Sequence, residues 1–185
     1  MSLESVGVDE DVEETGSSLE ENAILKAVAY ARLSGLPALA DDSGLEVDAL
    51  GGQPGPLSSR YAGEGATDEQ RIAFLHEKLQ NIRQTDWTAR FRCVIAIARP
   101  DTSPDDVEVY EGECRGMIVK DRRGSSGFGY DPVFLLPQLA KTMAELTREE
   151  KNRVSHRSVA ALKAAMALRR KAAEEERGRR SACGG

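Results

Sequence analysis

The sequence has few cysteines and few histidines, which limits the kinds of site it can build. Its three cysteines, Cys93, Cys114 and Cys183, are widely spaced and include no Cys-x-x-Cys pair. This pattern excludes a disulfide framework or a zinc site and favours reduced thiols in a cytosolic protein. His156 is one of only two histidines, and taken alone it is more typical of a capping or surface residue.

Long apolar runs and an excess of basic residues are also missing. No apolar stretch approaches the roughly 20 residues that a membrane-spanning helix needs, and the N-terminus is acidic where a signal peptide would be positive. We therefore expect a soluble, cytoplasmic protein without membrane contacts. Asp and Glu number 31 against 25 Lys and Arg, for a net charge of −6, which argues against a nucleic-acid binder. Nucleic-acid binding through the segment Arg169 to Arg180 is the remote alternative.

The length of 185 residues suits one domain with a real hydrophobic core. We find no internal repeat and no second domain boundary. The predicted organisation is one domain over residues 1–170, followed by a charged tail over residues 171–185. A segment that is charged all round is typical of a solvated helix end.

Capping residues and apolar spacing predict four helices. Ser18 and Glu21 begin the first helix, Thr67 and Gln70 the second, and Thr147 and Glu150 the third. The last helix opens at 155–157, and its spacing predicts that Val159, Leu162, Met166 and Leu168 face inward. Strands are predicted over 38–40, 45–50, 88–99, 107–111 and 115–120.

The stretch from Pro37 to Asp48 carries the first candidate chemistry. A short apolar run, Ala38 to Ala40, ends in two adjacent carboxylates, Asp41 and Asp42, followed by Ser43 and a glycine. This pattern predicts a buried strand that ends in a turn, and chemistry in α/β sheets often lies at such strand ends. If the strand instead continued, adjacent side chains would point to opposite faces, so we would expect only one of Asp41 and Asp42 to line a cleft. A turn with solvated carboxylates is the plain alternative.

A glycine-rich segment, 123–132, forms the second candidate. Three glycines in six residues allow a close backbone approach to a ligand, and Phe128 and Tyr130 are embedded where flexible linkers usually have no aromatics. An aromatic side chain on such a loop can stack on a planar base, although stacking on a core neighbour is the alternative.

Together these motifs resemble the inosine triphosphate pyrophosphatase family, enzymes that hydrolyse non-standard purine nucleoside triphosphates. The resemblance covers roughly residues 8–168 and rests on motifs that occur in the family's order. They are Glu13-Glu14-Thr15-Gly16 with Glu21 to Lys26, Asp41-Asp42-Ser43-Gly44-Leu45, Gly127-Phe128-Gly129-Tyr130-Asp131-Pro132, Ala144 to Lys151, and Ser155-His156-Arg157. The resemblance implies a mixed α/β fold, with a central sheet flanked by helices and two lobes around a cleft, and a homodimer.

The resemblance also implies roles for individual residues. Asp42 would be the catalytic carboxylate and hold Mg²⁺ together with Glu13. Ser43 and Lys26 would contact the substrate, with Lys26 near the phosphates. The loop from Phe128 through Gly129 and Tyr130 to Asp131 would form the base platform, with Tyr130 stacking on the purine. Lys151, His156 and Arg157 would meet the base and select a 6-keto purine over adenine.

Those roles agree with general chemistry. Mg²⁺ prefers oxygen ligands and keeps waters in its shell, so two carboxylates and the triphosphate oxygens suffice. A carboxylate beside the metal can orient or deprotonate an attacking water, which releases pyrophosphate. Donors aimed at a 6-oxo group are left unpaired by an amino group, and such a site can reject the wrong base by roughly 10⁴-fold.

The family pattern normally begins with a strand and a Thr/Ser-x-Asn-x-x-Lys phosphate loop, neither of which precedes Glu13 in this sequence. Two hypotheses follow: a Mg²⁺-dependent pyrophosphatase acting on ITP, dITP and XTP, or a catalytically impaired nucleotide-binding or dimerisation partner. Without that strand we expect the chain alone to be poorly soluble or only partly folded, because its neighbours would carry unpaired backbone groups.

Overall fold

The computed structural model describes residues 1–182. Its centre is a six-stranded antiparallel sheet with strand order β2-β1-β3-β4-β5-β6. The strands are β1 (Ala38–Val47), β2 (Pro54–Gly55), β3 (Thr88–Ala98), β4 (Glu108–Ile118), β5 (Phe134–Leu136) and β6 (Lys141–Thr142). The mixed α/β fold with a central sheet is confirmed.

Four α-helices accompany the sheet, and all four were predicted. They are α1 (Leu19–Ser34), α2 (Asp68–Leu79), α3 (Arg148–Val154) and α4 (His156–Ala182). The predicted caps form: Ser18 accepts from the backbone of Glu21, and both α2 and α3 begin with a reciprocal Thr capping box. These short-range signals succeed because a cap satisfies backbone groups within its own turn.

Helices cover both faces of the sheet. On one face α1 packs against a cluster that includes Ala40, Val94 and Ala96. On the other face α4 packs against Cys93 and Ile95, because successive residues of β3 point to opposite sides. The largest core cluster also lies on that second face, and it includes side chains from α2 and from β5. A cleft lined by residues of β1, the glycine-rich segment and the start of α4 is described below.

The turn predicted over Asp41 to Gly44 is wrong. Strand β1 runs without a break through Asp41, Asp42, Ser43 and Gly44, and it pairs with β3 along its whole length. The pairing of a ten-residue strand with a central neighbour outweighs the local turn preference of Asp, Ser and Gly. A second error has the same cause, since the two short strands predicted over 107–120 form the single strand β4.

The inward face of α4 was also predicted wrongly. Leu162, Met166 and Leu168 are exposed, while Ala160, Ala164 and Ala167 are buried. The helix lies so close to β4 that a Cβ atom on Gly112 would clash with the backbone of His156 and lie 2.5 Å from Ala160 N. At that separation only the smallest side chains fit between helix and sheet, so a leucine stripe cannot be the buried one.

Two further sequence expectations concern composition. Within residues 1–182, no helix combines the length and the apolar character needed to cross a bilayer. Cys93 and Cys114 are buried and unpaired, as expected for reduced thiols, whereas Cys183 lies outside the described residues. The charged tail continues α4 as far as Ala182, and the division at residue 170 stays a prediction.

Candidate active site

One cleft of about 510 Å³ brings the separate motifs together. Its lining comes from the N-terminal segment, all four helices, β1, β3, the loop after β2 and the glycine-rich segment. Every predicted site residue except Glu13 lines it. They are Lys26, Asp42, Ser43, Phe128, Gly129, Tyr130, Asp131, Lys151, His156 and Arg157.

Carboxylates and a lysine form one end of the cleft. Lys26 Nζ lies 2.7 Å from Glu14 Oε1 and 3.0 Å from Asp42 Oδ1. Asn22 Nδ2 donates to the other oxygen of Asp42 at 3.3 Å, and Gly16 N donates to Asn22 Oδ1 at 2.8 Å. Asn22 and Lys26 are four residues apart, so they share a face of α1. That face holds the acidic segment and the middle of β1 together.

Burial sets the proton affinity of Asp42. The residue is only 8% exposed, and the loss of solvent raises the pKa of its carboxyl although Lys26 partly offsets the rise. Burial also favours the neutral form of Glu14, but Lys26 and Arg60 outweigh it and lower the pKa of that carboxyl. The pKa of Lys26 is raised, because its two carboxylate partners outweigh the effect of its burial. This end of the cleft therefore holds a carboxylate of lowered pKa, Glu14, a more basic carboxylate, Asp42, and the Lys26 ammonium.

The second acidic position of this end is Glu14 and not Glu13. Side-chain burial alternates along residues 11–16, with Glu13 exposed and Glu14 half-buried. In an extended segment, neighbouring side chains point to opposite sides, and of these two it is Glu14 that lines the cleft. Arg60 fixes the choice, since its Nη1 lies 3.4 Å from Glu14 Oε2. The motif Glu-Glu-Thr-Gly alone does not indicate which of its two acids faces inward.

The opposite face of β1 contributes a different pair. Arg157 Nε donates to Asp41 Oδ2 at 2.9 Å, and Ser43 Oγ lies 3.3 Å from the same oxygen. Asp41 and Asp42 both line the cleft even though they lie on opposite faces of the strand. Within residues 1–182, β1 has a second strand partner only at Leu45 and Glu46. Before Leu45, one edge of β1 has no strand partner among these residues. The cleft lies along that edge, where side chains from both faces of β1 can line it.

The aromatic residues of the glycine-rich segment differ in exposure. Phe128 is 68% exposed, whereas Tyr130 is 3% exposed and donates from its hydroxyl to the Ser58 carbonyl at 3.0 Å. Tyr130 belongs to the main core cluster, so its ring is not free to serve as the predicted stacking platform. Phe128 offers the open aromatic face, with Lys151 Nζ 5.6 Å from its ring centroid.

A lysine and a histidine complete the end of the cleft opposite the acids. Lys151 Nζ bonds to Asp131 Oδ2 at 2.5 Å, and Asp131 is buried. The His156 ring stacks on Phe91 with centroids 5.0 Å apart, and its buried Nδ1 has no hydrogen-bond partner. Burial, together with the neighbouring charges of Arg157 and Lys151, lowers the pKa of His156 to about 4. The ring is therefore neutral at pH 7.

Several cleft residues were not predicted from the sequence. Glu14, Asn22, Asp41, Ser58 and Arg71 line the cleft or hold its lining. Asn22 carried a usable signal, its four-residue spacing from Lys26 on an amphipathic helix. Ser58 carried none, because it reaches the cleft from the irregular connection that precedes α2. Arg71 lies on α2 itself, and its spacing gave no sign that it lines the cleft.

The donors of the acidic end fit a hard divalent cation. Within residues 1–182, no group of three or more His, Cys, Asp or Glu side chains is arranged to hold a metal ion. Glu14 and Asp42 are a pair of oxygen donors that already share one cationic partner, the Lys26 ammonium. Two carboxylates are an incomplete shell for Mg²⁺, which usually also takes waters and phosphate oxygens.

The chain is similar to proteins of one known family. Residues 1–167 match the sequence profile of the Ham1 family. A dITP/XTP pyrophosphatase of Halalkalibacterium halodurans is 53% identical over 148 residues, which are 80% of this chain and 75% of that protein. One of Bacillus subtilis is 46% identical over 85% of this chain and 78% of its own length. The Ham1 protein of Staphylococcus aureus superposes with a TM-score of 0.82 at 48% identity, over 88% of this chain and 82% of that one.

Proposed function

Because this chain belongs to the Ham1 family, we propose that it hydrolyses non-standard purine nucleoside triphosphates, namely ITP, dITP and XTP, to the monophosphate and pyrophosphate. The relatives that match most of the chain are dITP/XTP pyrophosphatases. One observation carries the proposal: a single cleft joins a carboxylate and lysine end to an end with an exposed aromatic ring, a lysine, an arginine and a neutral histidine. The first end suits phosphates and the second suits a purine base.

Asp42 is the catalytic carboxylate of this proposal. Its raised pKa makes it a better proton acceptor than a solvated aspartate. Lys26 and Asn22 each hold one of its oxygens, which fixes the carboxylate relative to β1. It can therefore orient and deprotonate a water for in-line attack on a phosphorus atom. Lys26 also supplies positive charge beside the phosphates.

Mg²⁺ is the cofactor we propose for the acidic end, held by Asp42 and Glu14. When bound, the ion would neutralise charge on the triphosphate oxygens. We assign Glu14 in place of Glu13, because Glu14 lines the cleft and shares the Lys26 ammonium with Asp42. Arg60 keeps the Glu14 carboxylate ionised and directed into the cleft.

Base selection falls to the other end of the cleft. Phe128 is the stacking surface, in place of the buried Tyr130. Lys151 and Arg157 are donors, and each is oriented by one carboxylate, Asp131 and Asp41 respectively. A 6-oxo group accepts from such donors, whereas the 6-amino group of adenine leaves them unpaired. Ser43 lies 3.4 Å from Arg157 Nη2 and contacts the substrate from the same face.

Pyrophosphate release tests the proposal. We expect turnover of ITP and XTP to exceed that of ATP by several orders of magnitude and to need Mg²⁺. Equal turnover of ATP would contradict the base selectivity, and activity without a divalent ion would contradict the metal. Binding of IMP as tight as that of ITP, without hydrolysis, would favour the nucleotide-binding partner instead. The homodimer stays a prediction from the family resemblance, and sedimentation velocity tests it.

A further inference from the structure

Two consecutive backbone amides of the glycine-rich segment are each bound by a carboxylate. The Phe128 amide donates to Asp131 Oδ2 at 3.1 Å, and the Gly129 amide donates to Asp68 Oδ2 at 2.6 Å. Asp131 belongs to the segment itself. Asp68 is the first residue of α2 and lies 61 residues away in sequence. The second contact therefore ties the tip of the segment to a separate helix.

The Asp68 carboxylate is itself held in place. Its other oxygen accepts from Arg71 Nη1 at 2.9 Å, and Arg71 Nη2 donates to the Ala66 carbonyl at 2.5 Å. Arg71 is one turn further along α2, so the pair occupies one helix face. Asp68 thus has a fixed orientation before it meets Gly129, and bonds from amides to an ionised acceptor are among the stronger hydrogen bonds.

Hydrogen bonds, and not side-chain packing, determine where the Phe128 ring lies. The ring is 68% exposed, so burial contributes little to its position. Gly127 and Gly129 flank it with φ angles of +84° and +61°, a region that only glycine adopts freely. With such neighbours the backbone has many alternatives in the absence of the two carboxylates. The Gly129 amide is the one of the two that depends on another element of the fold.

We infer that Asp68 is a positioning residue for base recognition: through the Gly129 amide it fixes the Phe128 ring in the orientation that stacks on the purine. The inference rests on the proposed function, since it assumes that Phe128 meets the base. It predicts that loss of the Asp68 carboxylate weakens nucleotide binding while the acidic end, on the other side of the cleft, keeps its chemistry.

The test compares Asp68→Ala, Asp68→Asn and the control Glu69→Gln. Glu69 is the adjacent acid on α2, and its contact is an exposed ion pair with Arg122. For Asp68→Ala we expect KM for ITP to rise about tenfold, as for a lost charge-assisted hydrogen bond, with kcat within about twofold. Asp68→Asn keeps an oxygen acceptor and should recover part of the loss. Glu69→Gln should match the wild type.

Amide hydrogen exchange of the nucleotide-free protein, followed by NMR, separates this inference from the proposed function. We expect the Phe128 and Gly129 amides to exchange faster in Asp68→Ala, with unchanged exchange in the core of β3. Unchanged exchange at Gly129 overturns the inference whatever the activity. Faster exchange with an unchanged KM also overturns it, because the contact would then be structural only.

If the wild type releases no pyrophosphate from ITP, the proposed function fails, and exchange still decides whether Asp68 holds the segment. Should Asp68→Ala not fold, Asp68→Asn serves in both measurements.

Discussion

Arg157 Nε lies 2.9 Å from Asp41 Oδ2, across 116 residues of sequence. The contact joins the first turn of α4 to the middle of β1, one residue before the proposed catalytic carboxylate. It therefore couples the base-selecting end of the cleft to the strand that carries the chemistry. The neighbouring acids Asp41 and Asp42 consequently have different partners, Arg157 for the first and Lys26 for the second.

That difference predicts opposite kinetic outcomes for matched substitutions. Asp42→Asn should lower kcat for ITP by about 10² to 10⁴, the usual contribution of a general base. Asp41→Asn should leave kcat largely intact but raise KM for ITP and reduce the preference for ITP over ATP, since Arg157 loses its orienting partner. Steady-state pyrophosphate release with both substrates measures this. Indistinguishable effects of the two substitutions would contradict the assignment.

A second matched pair tests which acid of the N-terminal segment serves the site. Glu14→Gln should reduce kcat/KM for ITP by about 10²-fold and raise the Mg²⁺ concentration needed for half-maximal rate, because a charged ligand is lost. Glu13→Gln should behave like the wild type, since its side chain is exposed. A larger loss of kcat/KM in Glu13→Gln than in Glu14→Gln would favour Glu13 as the Mg²⁺ ligand, as the family resemblance implies.

Local signals in the sequence predicted much of this molecule, and non-local contacts explain the errors. The caps at Ser18, Thr67 and Thr147 gave the starts of three of the four helices, because a cap acts within one turn. The turn predicted at Asp42 and Ser43 failed because strand β3 supplies partners along all of β1. The inward face of α4 failed because Gly112, on a different element, allows an approach that only alanines fit.

The candidate site shows the same division. Motif positions predicted ten of the residues that line the cleft, but they did not predict which side chains are exposed to a ligand. Glu13 was chosen within the right motif, yet Glu14 lines the cleft. Phe128 and Tyr130 both line it, but the exposed ring is that of Phe128. The exposure of a side chain depends on the side to which it points. Tertiary partners set that side, as Arg60 does for Glu14 and the Ser58 carbonyl does for Tyr130.

The two aromatic residues of the glycine-rich segment should separate binding from stability. Phe128→Ala should raise KM for ITP about tenfold or more, because stacking of a base on an aromatic ring contributes about 1–3 kcal/mol, with little change in Tm. Tyr130→Phe should cost about 1 kcal/mol of unfolding free energy through the lost bond to Ser58, with KM unchanged. Urea unfolding and ITP kinetics on both variants provide the measurement, and a reversed pattern would favour Tyr130 as the platform.

His156 should make the protein less stable in mild acid. Its pKa in the folded protein is about 4, lowered by burial and by the positive charges of Arg157 and Lys151 against the opposing charge of Asp41. The unfolded chain, with a histidine pKa of about 6.5, binds more protons between these values, so stability falls as pH decreases from about 6.5 to about 4. The full effect is roughly 3 kcal/mol. The urea midpoint of unfolding should differ less between pH 5 and pH 7.5 in His156→Gln than in the wild type. An equal difference in the two proteins would contradict the prediction.

Glycine-to-alanine substitutions at Gly112 and Gly178 should change the free energy of unfolding in opposite directions. At Gly112 a new Cβ would clash with the His156 carbonyl and lie 2.5 Å from Ala160 N, so α4 must move away from β4 or the strand must bend. Overpacking of this kind costs about 1–3 kcal/mol. The displaced turn carries His156 and Arg157, so KM for ITP should rise as well. At Gly178, in the exposed end of α4, nothing lies within 4 Å of a new Cβ, and alanine should stabilise the helix by up to about 1 kcal/mol. Urea unfolding of both variants measures the difference. Equal stability of Gly112→Ala and the wild type would mean that α4 does not approach the sheet as closely as described.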